Sequence, residues 1–310
     1  MRRGVVVSVA LLGPFALFGL FAAGCSSAVD GKAVVPPQPA NLAYVDAKAT
    51  SDASAGIKKA METVFSFDST DTAAVAKNEQ EYFTGNARTQ FDQTFAQIKT
   101  TPVKTQTHVV DSGVATLSPR GATVLAAIKQ QSQTPDGKTN AALAVVLVTA
   151  APAGDHWRVS DLNLNPRGTL GPTADPGAPR PAVTRDSALT AARHAGSVLL
   201  TVDAQNADAV YDGYESVAVD PLLTQFRATR QTTVDSMKNS GAKATFNPQS
   251  AAAVSSASAD GKTATVLLDA VVSTQQQGGP QDRTIPVRLT LARQPDGGWK
   301  VSAIDPVNGA

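Results

Sequence analysis

FSFDSTDTAAVAKNEQEYFTGNARTQF, from Phe65 to Phe91, and LLTVDAQNADAVYDGYESVAVDPLLTQF, from Leu199 to Phe226, are two versions of one segment. Asp68 meets Asp203, Val75 meets Val210 and Phe91 meets Phe226, each 135 residues apart. Further along the spacing becomes 142. WRVS (Trp157 to Ser160) meets WKVS (Trp299 to Ser302), Val124 meets Val266, and Val145 meets Val287. Matching stretches in the same order, with both tryptophans of the chain in equivalent places, are the signature of an internal repeat. The chain reads as one unit written twice. The change from 135 to 142 places seven extra residues between Phe226 and Val266 of the second copy. Seven residues make about two helical turns. A longer third helix accounts for them, and a longer loop does so equally.

Each copy opens with helical periodicity. Ile57, Met61, Val64 and Phe65 recur at helical spacing, and their counterparts are Ala192, Gly196, Leu199 and Leu200. A second short helix covers Asp71 to Phe83, and Ala207 to Ala218. A third carries Phe91, Phe95 and Ile98 in the first copy and Leu222, Phe226 and Met237 in the second. There Asp220 suits the N-cap and Pro221 the first helical position. The period then switches to two. Ala264, Val266, Leu268, Ala270 and Val272 share one face of a strand. So do Ile285, Val287, Leu289 and Leu291, with Thr284, Arg288 and Thr290 facing away. Such alternation predicts antiparallel sheets with one covered and one wetter side. Pro286 marks its strand as an edge or a bulge. DGKT (Asp136 to Thr139) and PDGG (Pro295 to Gly298) read as hairpin turns. The fold class is α+β: two tandem units, each about three helices followed by about four antiparallel strands.

The N-terminal end has a different character. Arg2 and Arg3 precede an apolar run of 19 residues from Val5 to Ala23. This is the layout of a signal peptide, and the length also suits an uncleaved N-terminal transmembrane anchor. Cys25, the only cysteine, follows directly in AAGCSS. That stretch resembles the lipobox of bacterial lipoproteins, although Ala22 stands where that family usually has a leucine or another aliphatic. The resemblance implies cleavage before Cys25 and a diacylglyceryl thioether on it. Two acyl chains suffice for stable anchoring where one is marginal. The expected organisation is a signal peptide at 1–24, a lipidated cysteine and flexible tether at 25–50, and a first unit at 51–165. A Pro/Gly-rich linker at 166–183 and a second unit at 184–310 follow.

Composition narrows the function. With 42% hydrophobic and 17% charged residues the chain is an ordinary globular one. One cysteine excludes an intramolecular disulfide. Without the leader the balance is 25 basic to 26 acidic residues, and no basic stripe points to nucleic acid. His108, His156 and His194 do not pair at metal-ligand spacing, so no metal and no cofactor is expected. There is no G-x-S-x-G, G-x-G-x-x-G or P-loop pattern. Asp68 and Asp203 match between copies and read as turn or cap acids rather than bases. Trp157 and Trp299 read as a shared core position on the last strand.

The helices-first order resembles the cone-shaped nuclear-transport-factor-2-like fold. More narrowly, AARHAGSVLLTVDAQNADAVYDGYESV, LLTQFRATR, GKTATVLLDAVVS and DGGWKVSAIDPV of the second copy resemble the soluble domain of actinobacterial Mce-associated proteins. FDSTD and HWRVSDL carry the likeness in the first copy. The resemblance implies an accessory envelope protein of Mce-type lipid importers, on the extracytoplasmic face of the membrane. Those proteins usually have one domain and a membrane-spanning helix, whereas this chain has two units and the lipobox-like cysteine. Isomerases of the cone superfamily pair an Asp base with a Tyr donor inside the cone. Here Tyr82, Tyr211 and Tyr214 fall in helical segments, no Asp–Tyr pair repeats, and Tyr214 is matched by Glu79. The expected function is a non-enzymatic, lipid-anchored interaction or scaffold module. Its partners would be the membrane and envelope lipid-transport proteins. The alternative is a carrier of an apolar small molecule or lipid in the cone, and an isomerase-like enzyme ranks below both.

Overall fold

Asp46 starts the first helix, its carboxylate accepting from the Ala49 amide at 2.9 Å, as an N-cap does. The computed structural model describes residues 39–98, 102–175, 177–276 and 279–307. The apolar leader, Cys25 and the tether as far as Gln38 lie outside these residues. The first unit runs α1 (Ala47–Phe65), β1 (Phe67–Asp68), α2 (Thr72–Tyr82), α3 (Gly85–Ile98), β2 (Lys104–Ser118), β3 (Gly121–Gln133), β4 (Thr139–Ala153) and β5 (His156–Asn163). The second runs α4 (Arg180–Leu199), β6 (Val202–Asp203), a 3₁₀ turn (Ala204–Asn206), α5 (Ala207–Val217) and α6 (Leu222–Ser240). Strands β7 (Lys243–Phe246), β8 (Ala251–Ala257), β9 (Thr263–Gln276), β10 (Gly279–Arg293) and β11 (Trp299–Pro306) complete it. The first sheet has the order β1-β2-β3-β4-β5. The second has β11-β10-β9-β7-β6, with β8 also on β9. All these pairings are antiparallel. The fold is α+β, two tandem units with helices first.

Each sheet buries one face under its own helices. Ile57, Met61 and Val64 of α1 pack with Val114, Val124 and Val148. Ala192 and Leu199 of α4 pack with Val266, Leu268, Leu289 and Val301. The expected wetter side is absent in the middle of the second sheet. Leu267, Asp269 and Val271, on the other face of β9, are all buried. The cause is the other copy. Leu267, Ala251 and Ala253 form a third apolar cluster with Ala115, Leu125, Ala127 and Val145 of the first unit. The sheets thus pack back to back. At the crossing of β2 and β8, a Cβ on Gly113 would stand 2.5 Å from the Val254 carbonyl oxygen. Only glycine admits that approach. Arg288 of β10 adds an ion pair to Asp111 of β2 at 2.8 Å.

Residues 39–50 of the expected tether and the described residues of the linker are part of this body. A tether free as far as residue 50 is not what forms, because Asn41 and Ala43 are buried. The Asn41 side chain donates to Ala115 O (2.8 Å) and accepts from the Leu117 amide (3.0 Å). The linker at 166–183 is stitched to the second unit by the Gly168 amide donating to Gln249 O and by Arg167 bridging to Ser250. Its last residues already belong to α4, where Pro181 sits in the first turn, a position that needs no amide donor. The described residues from Pro39 onward form one compact body.

Several sequence expectations shift by a residue or more. α6 starts at Leu222, with Pro221 at the N-cap. The Asp220 carboxylate still closes that end, accepting from the Thr224 amide at 3.2 Å and its hydroxyl at 2.7 Å. The seven extra residues are spread out rather than confined to α6. Asp68 pairs with Lys104 and Asp203 with Lys243, so four have entered before the strand begins. Val114 faces Val124 while Val254 faces Val266, which puts one more where β2 is broken into β7 and β8. The remaining two lengthen the hairpin turn from Ser118–Gly121 to Ser258–Thr263. Pro286 lies where β10 has β9 on one side and, on the other, has just passed the end of β11. It therefore removes no ladder donor on the β11 side. The turns at 136–139 and 295–298 are formed, closed by Thr134 N to Lys138 O and Gln294 N to Gly298 O.

Candidate ligand pocket in the first unit

Five of the ten phenylalanines lie between Phe65 and Phe95. The fold gathers four of them around one opening at the mouth of the first unit. Phe65 ends α1, Phe67 lies in β1, and Phe91 and Phe95 sit one turn apart on α3. Helical spacing of four places the last two on one face, and their rings stack with centroids 5.7 Å apart. Phe65 meets Phe91 edge-on at 5.7 Å and Phe67 meets Phe95 at 5.5 Å. These are favoured geometries for aromatic pairs. The space they border is about 250 Å³ and is closed further by Thr94, Val103, Thr105, Gln130 and Ser132. The floor is a short polar strip. Thr105 and Ser132 share a hydrogen bond at 3.2 Å, and Gln130 donates to the Thr107 hydroxyl, which in turn donates to Phe65 O. Among the described residues no charged side chain lines the space. It suits a neutral apolar group with one polar end. At about 250 Å³ it takes a ring or an alkyl segment and is smaller than the roughly 300 Å³ of ordinary small-molecule sites.

The second unit does not repeat this aromatic lining. Phe65, Phe67 and Phe95 correspond to Leu200, Val202 and Arg230. Arg230 is held by Asp212 at 2.6 Å and Glu215 at 2.9 Å, above the Tyr211 ring. The rings of Tyr211 and Tyr214 pack on Phe226, each 5.9 Å from it. Their hydroxyls donate to Phe226 O (2.8 Å) and Thr201 O (2.7 Å). Burial pushes the Tyr214 hydroxyl up to about 12. These tyrosines are core residues tied to backbone. Tyr82 is likewise buried in the first unit's core. At the place of Tyr214, Glu79 is buried against Arg88 at 2.5 Å.

The remaining residues singled out in the sequence lie apart from the pocket. Asp68 accepts from the Thr70 hydroxyl and amide and pairs with Lys104, which holds its carboxylate below the usual range. Asp203 caps the 3₁₀ turn through Gln205 N and Asn206, with the same direction of shift. Trp157 packs on α1, where a Cβ on Gly56 would strike its ring, and Trp299 donates to Ser187 of α4 at 3.0 Å. Both tryptophans therefore hold the last strand to the first helix. His108 and His194 are exposed, and His156 lies between Asp155 and Glu81 O. Among the described residues no cluster of His, Cys, Asp and Glu is placed to hold a metal ion. No described helix is long and apolar enough to cross a membrane.

One buried acid leaves no mark in the sequence. Asp269 on β9 is 2% exposed, with Arg167 of the linker 3.7 Å away and its Oδ1 without a partner. Burial raises its carboxyl to about 6. It sits in the seam between the sheets, away from the phenylalanine pocket, and is the cost of fusing the two units.

No family model and no curated protein sequence matches the chain. Among solved structures it is similar to an IcmL-like type IV secretion system protein from Legionella pneumophila. Identity is 13% and TM-score 0.33, over 41% of this chain and 95% of that one. It is similar to a periplasmic fragment of TraM at 12% identity and TM-score 0.32, over 40% and 97%. An NTF2-like protein involved in plasmid conjugation is 11% identical with TM-score 0.25, over 81% and 93%.

Proposed function

We propose that this chain is a non-enzymatic, lipid-anchored cell-envelope protein, an interaction module accessory to Mce-type lipid uptake, whose first unit grips the apolar end of a neutral molecule. The observation that carries the binding part is the asymmetry between the copies. Phe65, Phe67, Phe91 and Phe95 border an open space in the first unit, whereas in the second Leu200, Val202 and Arg230 stand in three of these places and two tyrosine rings pack on Phe226. Largely carbon-lined walls, with no cation among the described residues, favour a neutral ligand over a carboxylate, because an unpaired charge is costly to bury. The pocket's size favours a ring or the end of an acyl chain over a whole lipid. The second unit, without this aromatic lining, then serves as the rigid partner that completes the seam.

The neutral fluorophore N-phenyl-1-naphthylamine tests the pocket. The full chain is expected to bind it and release it to octan-1-ol in preference to octanoate. Phe95→Arg, which copies Arg230, is expected to weaken binding at least tenfold with the circular dichroism unchanged. Equal binding by both proteins would sink the assignment. The anchor and the envelope location rest on the leader and on the likeness of AAGCSS to a lipobox. Intact mass of the membrane-extracted protein is expected to show cleavage before Cys25 and a diacylglyceryl addition. A chain that keeps residues 1–24 and carries no added mass would replace the lipid anchor by a transmembrane one. Co-purification of lipid-transport components in mild detergent tests the importer link, which is lost if none is retained.

A further inference from the structure

The open edge of β4 distinguishes the first sheet. β4 pairs with β3 along Thr139–Ala150, but with β5 only from Leu147↔Asn163 onward. Thr139–Val146 therefore have a strand on one side and, among the described residues, none on the other. Half of the backbone donors and acceptors of such an edge point outward unpaired. The stretch TNAALAVV holds no charge and no proline, and Thr139–Ala144 are all exposed.

The long edges elsewhere are closed. On β2, Thr107 and Val109 amides donate to the Ser66 hydroxyl and the Glu62 carboxylate, and the Leu42 amide donates to Leu117 O. On β5 and β11, Thr84 and Val219 amides cover Val159 O and Val301 O. The counterpart of the open stretch on β10 is QDRTIPVR, where Asp282, Arg283 and Pro286 replace Asn140, Ala141 and Ala144. Charges and proline are the ordinary means of blocking a sheet edge. One copy carries them and the other does not.

We propose that the β4 edge pairs antiparallel with the same edge of a second copy. The sequence itself selects this occupant. Ala141-Ala142-Leu143-Ala144-Val145 is close to palindromic about Leu143. A two-fold axis there sets Leu143 against Leu143, Ala142 against Ala144, Ala141 against Val145 and Asn140 against Val146. No like charges meet, and small residues lie opposite one another. Val145 and Val146 anchor the stretch, one in the seam between the units and the other in the first unit's core. The two faces of the new ladder thus continue two existing apolar surfaces. Leu143, 38% exposed in the single chain, becomes covered. Among the described residues each chain has one such edge, so the contact closes on itself as a dimer and does not propagate.

Light scattering on the full chain in mild detergent is expected to give twice the chain mass. Ala141→Arg, which copies Arg283, is expected to give a folded monomer with unchanged circular dichroism, since Ala141 is exposed. Leu143→Cys supplies a second readout. Facing Cα atoms in an antiparallel pair lie about 4.5–5.5 Å apart, within disulfide reach. Mild oxidation is expected to yield a covalent dimer of Leu143→Cys, while the native chain, whose Cys25 is held as a thioether under the proposed anchoring, does not cross-link. A native monomer, a dimer that survives Ala141→Arg, or a Leu143→Cys variant that forms no cross-link would each overturn the proposal.

Discussion

Replacing Arg185 by methionine is expected to lower stability by about 3 kcal/mol, within the usual cost of breaking a buried pair. Arg185 is 3% exposed on α4 of the second unit. Its Nη1 donates to Asn41 O (3.2 Å) and Ala43 O (3.0 Å), and its Nε donates to Asp186 (2.6 Å). Those two carbonyls belong to the segment that Asn41 fastens to β2 of the first unit. From the same segment, the Tyr44 hydroxyl donates to Val254 O on β8. One guanidinium therefore holds a clamp that touches both sheets. Methionine keeps much of the volume but leaves two buried carbonyls without donors and Asp186 without its cation. Asp186 is partly exposed and also accepts from the Ala174 amide, which limits the loss. For a body of this size about 3 kcal/mol corresponds to a fall in Tm of roughly 6–12 °C. Proteolysis is expected to cut near residues 39–46 earlier than in the native protein. A Tm within about 2 °C of native would show that the clamp contributes little.

The sequence shows the repeated unit because its signals are local. α2 and α5 fall inside the expected ranges, and Asp71 caps α2 through the Ala74 amide. The alternation in β9 identifies the face that meets its own helices. What it conceals is the second burial. Leu267 and Val271 alternate with those residues and are also apolar, a pattern for a strand covered on both sides. The covering comes from the other copy, and no local period encodes a contact between repeats. The buried polar groups are hidden for the same reason. Arg185 and Asp269 look like surface charges until the seam is closed over them. The pocket does leave a signal, the crowding of phenylalanines from Phe65 to Phe95. Helical periodicity absorbs it, since Phe91 and Phe95 fit an apolar helix face equally well.

Asp269→Asn is expected to make the protein more stable at pH 8 and to leave it nearly unchanged at pH 4. The carboxyl lies between Ala251 and Pro286 in the β9 ladder, facing the seam, and its one cation is 3.7 Å away. Burial outweighs that attraction and lifts the group from 3.8 to about 6. The sign follows from proton binding. Between these two values the folded state holds the proton more tightly than the unfolded chain does. This acid thus favours folding increasingly as pH falls from above 6 toward 4, and it opposes folding above 6. A shift of this size corresponds to roughly 3 kcal/mol at pH 8. Asparagine removes the charge and with it the pH-dependent part. Arg167 is one-third exposed and can return to water when its partner becomes neutral. Arg167→Ala is expected to act in the opposite direction, destabilising at pH 8 and leaving pH 4 unaffected, because it strips the buried carboxylate of its cation. Denaturant midpoints of the three proteins at both pH values check this. A difference between native and Asp269→Asn that stays constant from pH 4 to 8 would mean that Asp269 is ionised in the fold at both.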